Sequence, residues 1–196
     1  MKVIERIDDA RGRWNVLEHP FYKRWSCGEL TRDELAYYAG EYRHAVVALA
    51  DTAKKTGNEE HARDEADHVW LWDEFVAVFG ARTAGEPSAE TAKCVTAWTA
   101  PENRREALAV MYAIEAGQPA VSQAKLDGLA EHYGVATDEP GAAYFALHSE
   151  RDHEHAAESR RELERGDDAD LDRLVEVAEA ALRGNWTLLD GVDARR

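Results

Sequence analysis

The chain has 196 residues, 44% hydrophobic and 32% charged, a globular composition long enough for one domain with a sizeable core. Its formal charge of −15 argues against nucleic acid or an anionic membrane as partner, because phosphate contacts need clustered Lys and Arg. No run of eighteen apolar residues suggests a membrane span, the start MKVIERIDDARGRW lacks the apolar stretch of a signal peptide, and Cys27 and Cys94 form no CxxC pair; the expectation is a cytoplasmic protein with reduced thiols.

Almost every periodic segment repeats at 3.6 residues and none alternates convincingly as a strand, which predicts an all-α bundle of about seven or eight helices. A first helix covers Ile4 to Leu17, and His19-Pro20 ends it, since the residue before proline avoids the α region. Phe21 to Leu30 reads as an aromatic link. Thr31-x-x-Glu34 is a capping box opening a long helix to about Lys55, which carries Leu35, Tyr38, Val46 and Leu49 on its apolar stripe, and Glu41 and His44 besides. Glu59 and Glu60 open the next helix, which runs to Phe79 and stops at Gly80. Pro87-Ser88 starts a shorter helix to about Trp98, and Pro101 another through Glu115. Pro119 interrupts that element before it resumes through Lys125 to Tyr133. Beyond the loop Val135 to Pro140 a helix spans Ala143 to Arg165, and a last amphipathic one runs from about Leu171 to Leu189. Residues 1–196 read as a single domain with no repeat or linker.

The helix from Ala143 carries His148-x3-Asp152-x2-His155. Positions i, i+4 and i+7 share one stripe, so two imidazoles and a carboxylate point the same way, while His153 lies off it. Entered through an apolar run, this combination suits a transition-metal site. Glu65 and His68 are i, i+3 neighbours with His61 on the same face, and carboxylate-x-x-His is how helical bundles present di-metal ligands. Glu115 sits in Val110-Met-Tyr-Ala-Ile-Glu115, too apolar for an ordinary surface glutamate; a lone buried carboxylate goes neutral or costs several kcal/mol. Glu41 is a further carboxylate, in a setting that also suits a solvated helix residue. Glu41, Glu65, His68, Glu115, His148, Asp152 and His155 cannot be buried together without cations, because the like charges repel at low dielectric. Two divalent ions neutralise such a set, and oxygen and nitrogen donors without sulfur favour iron or manganese over structural zinc.

Leu17-Glu-His-Pro-Phe-Tyr22-Lys-Arg-Trp25-Ser-Cys-Gly-Glu-Leu-Thr31, the segment Tyr112-Ala-Ile-Glu115-Ala-Gly-Gln-Pro119 through Lys125, Tyr144-Phe145 and the His148 motif together resemble the heme-oxygenase-like di-metal oxidases. Within them the CADD-like branch is the closest, beside TenA and PqqC relatives, and the similarity runs from roughly Val16 to Glu158. It implies a heme-oxygenase-like helical fold that binds no heme, with His68, Glu115, His148, Asp152 and His155 matching family metal ligands. It also implies two iron ions (or iron and manganese), dioxygen as co-substrate and a small-molecule substrate, with homodimerisation left open. CADD-like members place a metal-binding Glu seven residues before the helix-three histidine, where this chain has His61. Glu65-x-x-His68 instead resembles the alkene-forming decarboxylase branch, which also takes a Glu from the preceding long helix, matching Glu41. The second glutamate therefore stays open among Glu41, Glu60, His61 and Glu65. Tyr22 and Lys125 match positions filled by Tyr and Lys in a branch associated with para-aminobenzoate formation, which implies catalytic roles. By pattern alone Tyr22 also reads as a packing aromatic and Lys125 as a surface residue. The expected activity is that of an O2-activating oxidase or oxygenase; the alternatives are a metal-free TenA/PqqC-like enzyme or heterocycle-binding protein, and a non-enzymatic interaction module.

Overall fold

Helix follows helix along residues 2–83, 85–166 and 170–195, the part of the chain described by a computed structural model, with no strand among them. The elements are α1 (Val3–Arg13), α2 (Pro20–Ser26), α3 (Arg32–Lys55), α4 (Glu59–Phe79), α5 (Ala89–Thr99), α6 (Arg104–Glu115), α7 (Gln118–His132), α8 (Ala143–Arg165) and α9 (Leu171–Asp193), with single 3-10 turns at Val16–Glu18 and Pro140–Ala142. None of these helices is long and apolar enough to cross a membrane.

Local chemistry sets the boundaries that matter for the site. Thr31 Oγ1 accepts from the Glu34 N–H while Glu34 Oε2 accepts from the Thr31 N–H, at 3.2 and 2.8 Å, so α3 begins on a reciprocal cap. It ends at Gly57, whose φ of +76° only glycine adopts cheaply. The segment expected as a link from Phe21 contains α2: Pro20 occupies its first turn and His19 Nδ1 accepts from the Phe21 N–H at 3.1 Å. The interruption expected at Pro119 is a full break, with α6 ending on Glu115 and Pro119 in the first turn of α7.

Helix α8 packs against α4, α6 and α7, and α9 closes the opposite side against α5, α6 and α1. Between them lies an aromatic core of Phe21, Trp25, Tyr38, Tyr42, Trp72, Phe75 and Phe145. Each buried indole N–H reaches a carbonyl on another helix: Trp72 to Ala39 at 2.8 Å, Trp98 to Ala181 at 3.0 Å, and Trp25 to Lys125 at 3.3 Å. Trp25 also lies so close to Gly128 that a Cβ there would collide with its indole nitrogen.

Candidate metal centre

Asn58 Oδ1 accepts the N–H groups of Glu60 and His61, both at 3.1 Å, and so fixes where α4 begins. From that start His61, Glu65 and His68 fall at i, i+4 and i+7. Helix α8 repeats the spacing with His148, Asp152 and His155, and the two stripes face each other in antiparallel register. The ring centres of His61 and His155 are 4.0 Å apart and those of His68 and His148 4.4 Å apart, with Glu65 and Asp152 between the two pairs. Helix α6 ends on Glu115, whose Oε1 is 2.7 Å from His61 Nε2. All seven side chains are buried except His155, which is partly exposed.

The nitrogen and oxygen atoms turned into this space lack partners. His148 Nδ1 lies 2.6 Å from the Tyr144 carbonyl, which fixes the proton there and leaves the Nε2 lone pair facing the cluster. His61 Nε2, His68 Nδ1, both oxygens of Glu115, His148 Nε2, both oxygens of Asp152 and His155 Nδ1 are buried without a hydrogen bond. The His61–Glu115 approach and that of His68 Nδ1 to Glu65 Oε1, 3.0 Å, are short but not aligned as N–H···O bonds. Native interiors leave few such atoms, and eight in one place need a common partner. Ligand atoms of His61, Glu65, Glu115 and His155 lie within 4.8 Å of one another, and so do those of Glu65, His68 and His148. Two adjoining positions able to hold a cation therefore share Glu65. The donors, imidazole and carboxylate without sulfur, fit iron or manganese.

Without a cation the cluster is electrostatically frustrated. Burial, with Glu115 and Glu65 beside it, pushes Asp152 up to about 10, and burial next to Glu65 and Glu158 drives Glu115 upward as well. Burial holds His148 down at about 4 despite the Glu65 carboxylate, and lowers His61 and His155. Burial also opposes ionisation of Glu65, but the imidazoles of His68, His148 and His61 outweigh it and keep this carboxyl below its ordinary value. One central carboxylate stays charged while its neighbours are held neutral.

Of the residues expected from sequence, Glu65, His68, Glu115, His148, Asp152 and His155 come together. Glu41 does not. Its Oε2 accepts from the Ser88 N–H at 3.0 Å and from the Thr91 hydroxyl, at the start of α5. The face of α3 that carries Glu41 meets α5 rather than α8, so His61 takes the seventh place. Glu60, one residue earlier on α4, is exposed, and so is His153. Cys94, buried and with its thiol pushed upward by that burial, lies outside the cluster.

Tyr22 and Lys125 meet in the aromatic core. Lys125, expected by pattern at the surface, is 1% exposed. Its Nζ sits 4.8 Å from the ring centre of Tyr42, 4.9 Å from Phe145, 5.3 Å from both Tyr38 and Trp72, and 5.5 Å from Tyr22. Burial lowers its pKa well below the ordinary 10.5. The Tyr22 hydroxyl is 3.3 Å from that of Tyr38. Trp72 packs on Tyr144 at 4.9 Å and Tyr144 stacks on His148 at 3.9 Å, which connects this chamber to the ligand cluster through two rings.

A family model described as "iron-containing redox enzyme" matches residues 29–187. The chain is 30% identical over 213 residues to the 4-aminobenzoate synthase of Chlamydia muridarum, covering 97% of this chain and 89% of that protein. A domain from Shewanella denitrificans with a heme oxygenase-like fold superposes with a TM-score of 0.80 at 19% identity, over 99% of this chain and 93% of that one. A TenA homologue from P. horikoshii does so with a TM-score of 0.77 at 14% identity, over 98% of each. The heme-oxygenase-like helical fold implied by the sequence is the one observed.

Proposed function

The chain belongs to the iron-containing redox enzyme family, and from that premise we propose that it is a di-iron oxidase that uses dioxygen to form 4-aminobenzoate. The observation that carries the reading is the set of eight buried, unpartnered donor atoms contributed by α4, α6 and α8. A metal-free enzyme would leave them unsatisfied. His61, Glu65, Glu115 and His155 would hold one ion and Glu65, His68 and His148 the other, with the unpartnered carboxyl of Asp152 beside them to add charge balance. Iron bound there supplies the one-electron redox chemistry with dioxygen that no side chain offers. The product is taken from the 4-aminobenzoate synthase that the chain resembles over nearly its whole length.

The chain's own residues prepare that chemistry. The Tyr144 carbonyl orients His148. The aromatic core buries Lys125 beside the Tyr22 ring, and this amine and phenol are separated from the ligand cluster by the rings of Trp72 and Tyr144. The test is to load metal-free protein with ferrous ion in the absence of air, measure bound iron, and then follow oxygen uptake. The expected result is about two irons per chain and oxygen consumption faster than that of free ferrous ion, both reduced in His148→Ala. Failure to retain iron, or uptake no faster than the free ion, would overturn the reading.

A further inference from the structure

On α4, His68 and Trp72 are buried while Trp70, between them, is 62% exposed. It is the one large apolar side chain left in solvent among the described residues. Each of the other five tryptophans packs against another ring, whereas Trp70 has neither a ring contact nor an indole hydrogen bond among the described residues. A single exposed apolar residue needs no explanation. This one stands over an open groove of about 640 Å³ between α4 and the start of α8, where Leu71, Ala146 and Leu147 are half-buried. No member of the ligand cluster lines it.

The charges around the indole are of one sign. Glu74, Asp138, Glu139 and Glu150 line the groove, and no Lys, Arg or His does. None of the four has an ion pair or a side-chain hydrogen bond among the described residues. Acids elsewhere on the surface are paired: Glu162 with Arg104 and Arg165, Asp73 with Arg43, and Glu176 with Arg173. The groove thus lacks both an apolar cover and a counter-charge.

Those two lacks together specify the occupant. A two-fold contact with a second copy would set the four carboxylates against themselves. Nucleic acid or an anionic bilayer would meet the same repulsion. We propose that the groove docks a basic amphipathic segment of a partner protein. An apolar side chain of that segment packs on Trp70 and Leu147, and its Lys or Arg side chains lie over the indole and on the four carboxylates. The groove stands apart from the metal centre, though α4 and α8 carry both.

The test is fluorescence anisotropy of labelled synthetic peptides titrated with the purified full chain. A helical peptide with Leu on one face and Arg on the other is expected to bind with a Kd on the order of micromolar. Its Ser/Arg counterpart should be weaker by about tenfold or more, and so should the Leu/Arg peptide on Trp70→Ala. Glu74→Gln combined with Glu150→Gln is expected to weaken binding about fivefold and to flatten its fall with rising salt. Asp172→Asn combined with Glu176→Gln removes the same charge from α9, on the opposite side, and should leave binding unchanged. Trp70 and Glu150 are exposed and Glu74 half-buried, so these variants are expected to melt like the parent. No binding of the Leu/Arg peptide, equal binding of the Ser/Arg peptide, or binding that survives Trp70→Ala would overturn the proposal. So would equal weakening by the α9 pair, which would mean attraction to the overall charge of −15. Self-association abolished by Trp70→Ala would overturn it as well, assigning the groove to a second copy.

Discussion

The ring of His148 stands 4.4 Å from that of His68, at 70° to it, and is locked in place by the Tyr144 carbonyl. Two imidazoles this close and this buried repel each other if protonated, and as neutral rings they leave lone pairs facing a shared space. The pair His61–His155 repeats the relation at 4.0 Å, with Glu65 and Asp152 between. A cation at each end reconciles all of these groups at once.

Metal content is expected to separate the residues by position. His148→Ala, Asp152→Ala and His61→Ala should each lose at least one ion, whereas His153→Ala and Glu41→Ala should keep the full complement, as read by elemental analysis. Equal loss from His153→Ala or Glu41→Ala would mean that the cluster has been wrongly drawn.

Glu41 is expected to act on stability instead. Its removal leaves the Ser88 N–H and the Thr91 hydroxyl without their acceptor, at a cost of about 1–3 kcal/mol. Chemical denaturation of Glu41→Ala checks this, and a midpoint equal to the parent's would count against a structural role.

The pH dependence of the metal-free chain follows from the direction of each shift. Asp152 and Glu115 are raised in the fold, so their contribution is intact below their unfolded pKa and is lost as pH rises toward the folded value. His148, His61 and His155 are lowered, so theirs is intact above about 6.5 and is lost on acidification. Above about pH 6.5 each raised carboxyl costs the chelated protein on the order of 1 kcal/mol per pH unit until its folded value is reached, and Lys125, whose linkage runs the other way, offsets part of that loss. Its melting temperature is expected to fall from about pH 6.5 to 9. Asp152→Asn should flatten the slope, and added iron should reverse it, because metal displaces the carboxyl protons. A melting temperature that is constant or rising in chelated protein would refute the assignment.

Lys125 has the opposite linkage to the carboxyls. Its folded pKa is depressed by burial, so stability is full only above the unfolded value near 10.5 and declines as pH falls. At pH 7 the fold carries that cost, and Lys125→Met, similar in shape and uncharged, should be more stable than the parent by about 1 kcal/mol or more. It should also lose 4-aminobenzoate formation. Reduced stability in this variant would mean that the amine has a partner after all.

That the α8 stripe, the Glu65–His68 pair and Glu115 are buried together was legible in the sequence because ionisable groups stood among apolar neighbours, a conflict that a solvated surface does not produce. Glu41 misled for a geometric reason: spacing along a helix tells which residues share a face but not which helix that face meets. His61 lay on the right face of α4, and only the antiparallel register of α8 brings His155 opposite it. Lys125 read as a surface residue because α7 is covered by both α2 and α8, so its apolar and polar residues form no stripe that would mark an inside. The short α2 was hidden by its run of aromatics, where too few residues show a period.

The contact between Trp25 and α7 has a consequence for how this protein can vary. The indole hydrogen-bonds the Lys125 carbonyl and presses on Gly128, where no Cβ fits. Lys125 and Gly128 lie at i and i+3 on one face of α7, so the joint with Trp25 also positions the amine. Gly128, a residue with no functional atoms of its own, becomes as intolerant of exchange as the lysine: even an alanine there would lever the helix away from Trp25 and carry Nζ out of its ring of aromatics, altering chemistry from a position that touches none of it.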